Sequence, residues 1–376
     1  MQFDSRVAKL HFPIRGKFMF SNKKAAVAVL LVAGTVLAAC GSSSNTSATA
    51  TTAGKSATTT TAAAPLTNIT IALPVAEPVQ SPVYLAKVNG YFKKQGLNPK
   101  IVVLAGDVIV NSALVSNSVQ FTSVNAVSLL TAVSKGIPLQ MACMEYNGPE
   151  WAMAVTNQLA ASAHLSSSST PQQVLSALKG DKVAVVGGAS AAPGIMLNGL
   201  LEHYGISTSS LTIFAVNSSA ALVTALQHNE VQAIFDTQPI PASAQAVGAG
   251  KVVFDTTEIS SLAAVPWEGI LAAKSYIASN PKIVKSVCAA IAQADNYLIS
   301  NPSGATSALQ PTFPKLSPSL LQSAITSYKW ANDAQMTDSQ WTSGLAALES
   351  FHLLSKPISS SVLSSSYTLA DLPPAG

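Results

Sequence analysis

The side chains with chemistry to offer in this chain are acids and flat rings. Glu77 and Asp236 follow or end β-rich runs, and Tyr146, Trp151, Trp267 and Glu268 cluster where two such runs meet. Acids and rings of this kind accept hydrogen bonds and cover planar groups. The ingredients of catalysis are missing. His11, His164, His203, His228 and His352 have neither metal-ligand spacing nor a neighbouring acid pattern. No nucleophile elbow occurs, and serines concentrate in linker-like stretches at 166–169 and 359–366. Gly187-Gly188-Ala189-Ser190 is a small-residue turn before a helix, without the Lys of a phosphate loop or the third Gly of a dinucleotide fingerprint. Arg6 and Arg15 are the only arginines, so no bidentate guanidinium is left beyond residue 15 to hold a carboxylate, sulfonate or phosphate. This pattern implies binding of a neutral or weakly cationic solute, with no metal and no cofactor.

The first 39 residues carry six Lys/Arg against one Asp, leaving 15 Lys against 16 Asp/Glu in the rest, so the formal charge of +4 is a property of the leader. A near-neutral remainder excludes nucleic acid as the expected partner. Lys23 and Lys24 precede an apolar run from Ala25 that ends in Leu37-Ala38-Ala39-Cys40, too short for a spanning helix and shaped like a cleaved signal peptide. Its end resembles the bacterial lipoprotein box, which implies a lipid on Cys40 and a mature chain anchored to the outer face of the cell membrane. Either Met1 or Met19 can serve as the start. Residues 40–66 are mostly Ser, Thr, Ala and Gly, a composition too polar to bury a core and expected to form a flexible tether with a reach of roughly 25–30 Å. Cys143 and Cys288 lie in apolar surroundings and are expected as buried free thiols, a single disulfide being the alternative.

From Asn68 onward β-rich runs alternate with helical patterns, which predicts an α/β fold. Strands are expected at Ile69–Leu73, Lys100–Leu104, Gln120–Thr122, Leu139–Ala142, Ala152–Thr156, Lys182–Val186, Leu211–Ala215, Ala233–Asp236, Val252–Asp255 and Gly269–Ala273. Helices are expected near Pro82–Lys94, Val108–Ser116, Val124–Ser134, Pro171–Leu178, Ala192–Tyr204, Ala220–His228 and Ala242–Gly248, with a purely helical extension after Asn280. Ten strands exceed a comfortable open sheet. Two lobes are therefore expected, 67–146 plus 268–376 and 150–258, each a mostly parallel sheet flanked by helices. The chain would cross between them near 146–151 and 264–268. Ligands bind beyond the carboxyl ends of strands in such sheets, so the shared border should be a cleft.

One family resemblance joins these pieces. Pro82-Val83-Tyr84-Leu85-Ala86-Lys87 followed by Gly90-Tyr91-Phe92-Lys93-Lys94-Gln95-Gly96-Leu97 resembles the first helix and turn of the binding proteins that serve ABC importers of nitrate, sulfonates and thiamine pyrimidine precursors. Gly106-Asp107 with Asn111, Ala113 and Leu114, then Lys135-Gly136-Ile137-Pro138, Leu178 to Ala184, Asn280-Pro281 and Asn301-Pro302 match in order across 69–305. The resemblance implies the type II periplasmic-binding fold and a monomer that closes on one solute and docks on a permease with its ATPase. A related fold serves a pyrimidine-synthesising enzyme, but the missing His/Cys motif and the secretion signal argue against catalysis here.

Helices that follow strands should start at the cleft, which nominates Glu77, Gln80 and Ser81, then Gly106 and Asp107, then Gly188, Ala189 and Ser190, and Asn217. Asp107 precedes a helical run and is expected to cap it. Ser123, Asn125, Asp236 and Gln238 at other strand ends complete the candidates, with Tyr146, Trp151, Trp267 and Glu268 at the crossings. A pyrimidine-type compound is the favoured ligand class. The alternatives are an anion held by helix N-termini, or a surface sensor or adhesion lipoprotein without a transporter.

Overall fold

The computed structural model describes residues 65–374 except Ala105; the leader, Cys40 and the tether up to residue 64 lie outside the described residues. Eleven strands form two sheets. They are β1 Thr67–Leu73, β2 Leu97–Val103, β3 Phe121–Asn125, β4 Leu139–Asn147, β5 Trp151–Thr156, β6 Lys182–Val186, β7 Thr212–Val216, β8 Ala233–Thr237, β9 Gly250–Asp255, β10 Pro266–Ala273 and β11 Lys329–Trp330. The first sheet has the order β11-β4-β10-β3-β1-β2 and the second β7-β6-β8-β5-β9. All ten expected strands are present. The eleventh, β11, corrects the expectation of a purely helical tail: its two residues pair with Asn147 and Tyr146 of β4, a partnership local periodicity cannot show in so short a run.

The α/β class with two sheets is as expected, and each sheet is mixed. β1 runs parallel to β2 and β3, and β6 parallel to β7 and β8. β10 runs against β3 and β4, and β5 against β8 and β9. β5 and β10 are the strands that follow the two crossings. They begin where their neighbours end, so they must run the opposite way. Both are buried along their whole length, as is β3, because helices cover both faces of a sheet's centre.

Local chemistry sets the helix ends. Asn125 closes β3 and its side chain accepts a hydrogen bond from the Ser128 N–H at 2.9 Å, so the helix expected from Val124 begins at Ala126. Thr170 and Gln173 form a reciprocal capping box in front of Pro171–Ala177, with Pro171 at the first helical position. The long helix expected over Pro82–Lys94 is two, Ser81–Val88 and Tyr91–Lys94, because Gly90 takes φ 72° between them.

Helix Pro281–Ser300 buries Val284, Val287, Cys288, Ile291 and Leu298 on one stripe. Cys288 on this stripe is bonded to Cys143 of β4, with Cα atoms 5.7 Å apart. The expectation of free thiols is corrected: apolar context does identify both as core residues, and only the tertiary fold brings positions 145 residues apart to bonding distance. Near the end of the chain, Gly199 in helix Ala192–His203 lies so close to the Phe351 carbonyl that a Cβ would stand 2.1 Å from its oxygen. His203 stacks on the Phe351 ring at 3.7 Å. The tail thus packs on a helix that follows β6 of the second sheet.

Candidate functional site

A cleft of about 1400 Å³ opens between the two sheets. Its walls are the segments that leave strand ends: Pro74–Gln80 after β1, Gly106–Ser116 after β2, Val186–Met196 after β6 and Asn217–Ala220 after β7. This is the crevice where open α/β sheets bind ligands. Tyr146, Glu150, Trp151, Trp267 and Glu268 form its floor at the crossings. Helix Asp107–Val115 turns an apolar face to the cleft, where Val108, Ile109 and Val115 are 79%, 53% and 47% exposed.

Of the expected site residues, Glu77, Gln80, Gly106, Asp107, Asn125, Tyr146, Trp151, Ser190, Asn217, Asp236, Trp267 and Glu268 line this cleft. Ser81, Ser123, Gly188, Ala189 and Gln238 are not among its lining residues. The Ser81 hydroxyl turns back to donate to the Pro78 carbonyl at 2.6 Å. Ser123 is buried behind the floor, and Gly188 is packed against Ala215. The Gln238 carbonyl accepts from the Tyr328 hydroxyl at 2.8 Å. Asp107 is not a cap: Gly106 holds that position, and the Asp107 carboxylate instead accepts from Asn125 Nδ2 at 2.9 Å. The helix after Asn217 is capped by Ser218, whose hydroxyl accepts from the Ala221 N–H at 3.3 Å.

Carboxyl groups dominate the electrostatics. Glu77, Asp107, Glu150, Asp236 and Glu268 line the cleft, against the single amine of Lys135. Glu77 spans it: its two oxygens accept from Ser219 Oγ at 2.7 Å and Thr237 Oγ1 at 3.3 Å, both on elements of the second sheet. Gln80 Nε2 donates to Glu268 Oε1 at 3.2 Å. Ser123 Oγ lies 3.2 Å from that same oxygen and in short contact with Glu145 Oε2. One hydroxyl hydrogen cannot point fully at both acids.

Burial pushes the Glu145 and Glu150 carboxyls up to about 8, the Tyr146 and Ser123 hydroxyls pulling back only in part. Burial also raises Asp236, with the Glu77 charge adding to it, and raises Asp107 against the bonds from Asn125 and Ser128. Glu268 is pushed well above the usual range by burial and then by Glu145, Asp107 and Glu150. Glu145 and Glu150 were not foreseen as site residues. Glu150 had a visible signal, as an acid beside Trp151 at a crossing. Glu145 had none, since only pairing of β4 with β10 and β3 with β10 brings it to Ser123 and Glu268.

Trp151 and Trp267 meet edge to face with ring centroids 5.4 Å apart. Among the described residues no group of three or more His, Cys, Asp or Glu is arranged to hold a metal ion, and no helix is long and apolar enough to cross a membrane.

Two α/β sheets joined by two crossings, with a cleft floored at the crossings, have the architecture of the periplasmic-binding fold. The chain belongs to the NMT1/THI5-like family, whose profile matches residues 77–305, more than half its length. Among solved structures it is similar to the alkanesulfonate-binding protein SsuA from Xanthomonas axonopodis pv. citri bound to MOPS, with TM-score 0.62 and 17% identity over 81% of this chain and 99% of that one. It is also similar to the aliphatic sulphonate-binding protein SsuA from Escherichia coli, with TM-score 0.61 and 17% identity over 79% and 91% of the two chains. The nitrate-binding protein NrtA from Synechocystis PCC 6803 aligns at TM-score 0.59 and 14% identity over 82% and 87%. Among curated proteins none matches the chain.

Proposed function

We propose that this protein is anchored by a lipid on Cys40, captures one small organic solute in the cleft by hinge closure, and delivers it as a monomer to an ABC permease and its ATPase. The solute is a neutral or weakly cationic nitrogen heterocycle of the pyrimidine type. The lining of the cleft carries this reading: five carboxyl groups and two tryptophans face a space with no arginine, which suits a planar donor of N–H groups and disfavours a sulfonate or nitrate. Closure draws on Glu77, which already bonds across the cleft.

The test is intrinsic fluorescence and melting temperature of the chain from Ala63 onward, screened against pyrimidines, flavins, sulfonates, nitrate and amino acids. A ligand at 100 times its Kd adds about 2.7 kcal/mol, or about 4 °C for a domain of this size. A pyrimidine-type compound should shift both signals, with the spectral change lost in Trp151→Phe or Trp267→Phe. A response confined to taurine or nitrate refutes the ligand class, and silence from every class refutes the receptor reading.

A further inference from the structure

Four acceptor oxygens on residues that line the cleft have no hydrogen-bond partner among the described residues: Gln80 Oε1, Asn111 Oδ1, Glu150 Oε2 and Asp236 Oδ2. Their residues are 1%, 7%, 2% and 6% exposed, so solvent does not satisfy these atoms at the surface. Unmet buried acceptors are costly, and four on residues that line one cleft, two of them carboxyl oxygens, call for a donor that the described residues do not supply. Glu150 and Asp236 sit at the same end of one ladder: Asp236 of β8 pairs with Ala152 of β5, and Glu150 precedes it by two residues, which places both acids on one face as diagonal neighbours.

We propose that the cleft is built for an organic cation, whose protonated amine or amidine nitrogen sits between Glu150 and Asp236 while its apolar body rests on Trp151, Trp267 and the Val108–Ile109–Val115 face. This rests on the solute-receptor reading and narrows it, replacing a neutral or weakly basic ring by a strong base that is charged when bound. The groups facing the two acids are hydroxyls, a backbone N–H and further acids. Glu150 is met by the Tyr146 hydroxyl, Asp255 and Asp236, and Asp236 by Glu77, Ser219 and Thr237. Tyr328 lies within the field of the same acids, and Glu268 and Asp107 complete the wall. Two amines lie nearby. Lys329 donates to the Thr257 carbonyl at 3.0 Å and lies near Asp255, and Lys135 is an exposed lining residue. Among the described residues nothing covers Val108 on the apolar face of helix Asp107–Val115, which is why the ligand needs an apolar body as well as a charge.

Proton linkage separates this from binding of a neutral ring. In the empty cleft Glu150 holds its proton up to about pH 8. A cation seats on the carboxylate, so the proton must leave. Affinity for a cation whose own charge does not titrate in the range therefore rises with pH, by up to about tenfold per unit, and levels above about 8. A neutral ligand shows no such slope.

Benzamidinium, benzamide and benzenesulfonate have nearly the same shape and differ in charge, and calorimetry from pH 6 to 8.5 in buffers of different ionisation heat reads affinity and proton release together. Benzamidinium should bind roughly 10- to 100-fold more tightly than benzamide, as expected for charge-assisted hydrogen bonds. It should release a proton below pH 8, and lose that advantage in Glu150→Gln and Asp236→Asn, near-isosteres of the protonated acids. Equal or tighter binding of benzamide or benzenesulfonate, or a cation affinity flat in pH, overturns the proposal. So does benzamidinium binding that survives in the Glu150→Gln/Asp236→Asn double variant. No response to benzamidinium, while a neutral or anionic solute of the wider screen binds, overturns the cation and leaves the receptor reading intact. No response to any solute overturns both.

Discussion

Reducing the Cys143–Cys288 bond tests the tertiary placement most directly. The bond closes a loop of 145 residues, and in the chain-entropy picture a loop of that length removes about 5 kcal/mol of conformational freedom from the unfolded chain. About 310 folded residues have an unfolding entropy near 0.65 kcal/mol/K at the midpoint, so the bond is worth about 8 °C in Tm. Native strain or residual structure in the unfolded chain lowers this figure, which makes it an upper value. The assay compares melting of the chain from Ala63 with and without a reductant, which leaves the packing of both side chains unchanged apart from the bond. A thiol count on the unfolded, unreduced chain should give none. Because both cysteines lie on elements of the first sheet's side, β4 and helix Pro281–Ser300, ligand affinity of the reduced native protein should stay within about twofold. Two titratable thiols without reductant, or identical midpoints in the two conditions, refute the placement of this helix on β4.

Buried acids make stability depend on pH in the opposite sense to acid denaturation. Glu145 and Glu150 rise from 4.5 to about 8 on folding, so the native state holds more protons than the unfolded chain between those values. Stability is then fully present at about pH 4.5 and falls as pH rises towards about 8. Thermal melts at pH 5 and pH 8 should show the lower Tm at pH 8, with the difference reduced in Glu145→Gln; a higher Tm at pH 8 refutes the burial of these groups. Glu77→Ala removes both hydrogen bonds across the cleft. It should weaken ligand binding by about 5- to 30-fold, given ~1–2 kcal/mol for partly exposed bonds to a carboxylate. In a double-mutant cycle with Ser219→Ala the two effects should not add, and full additivity removes Glu77 from closure.

The strands were legible because their causes are local. Alternation in Thr67–Leu73 and the apolar runs 151–155, 183–186 and 270–273 inside β5, β6 and β10 are written in adjacent residues, and so are the starts supplied by Thr170-Pro171 and the break at Gly90. The chain changes sheet between β4 and β5 and again between β9 and β10, and the rings and acids beside Gly148-Pro149 and Ala264-Val265 were named from position alone. The absence of arginine beyond residue 15 is a fact of composition.

Other features depend on which strands become neighbours. β10 runs between β3 and β4, and that single placement brings Glu268, Ser123 and Glu145, far apart in the chain, into one hydrogen-bonded group. The same packing puts Cys143 beside Cys288 and returns Trp330 to Tyr146. Glu77 reads in sequence as one acid after a strand, and only the facing second sheet makes it a bridge. Residue type and local period determined the elements, the two sheets and the acids at their ends. Burial, and after it the other acids that the fold brings close, raises the pKa of those acids, because the cost of an unpaired charge depends on what surrounds it in space and not on its neighbours along the chain.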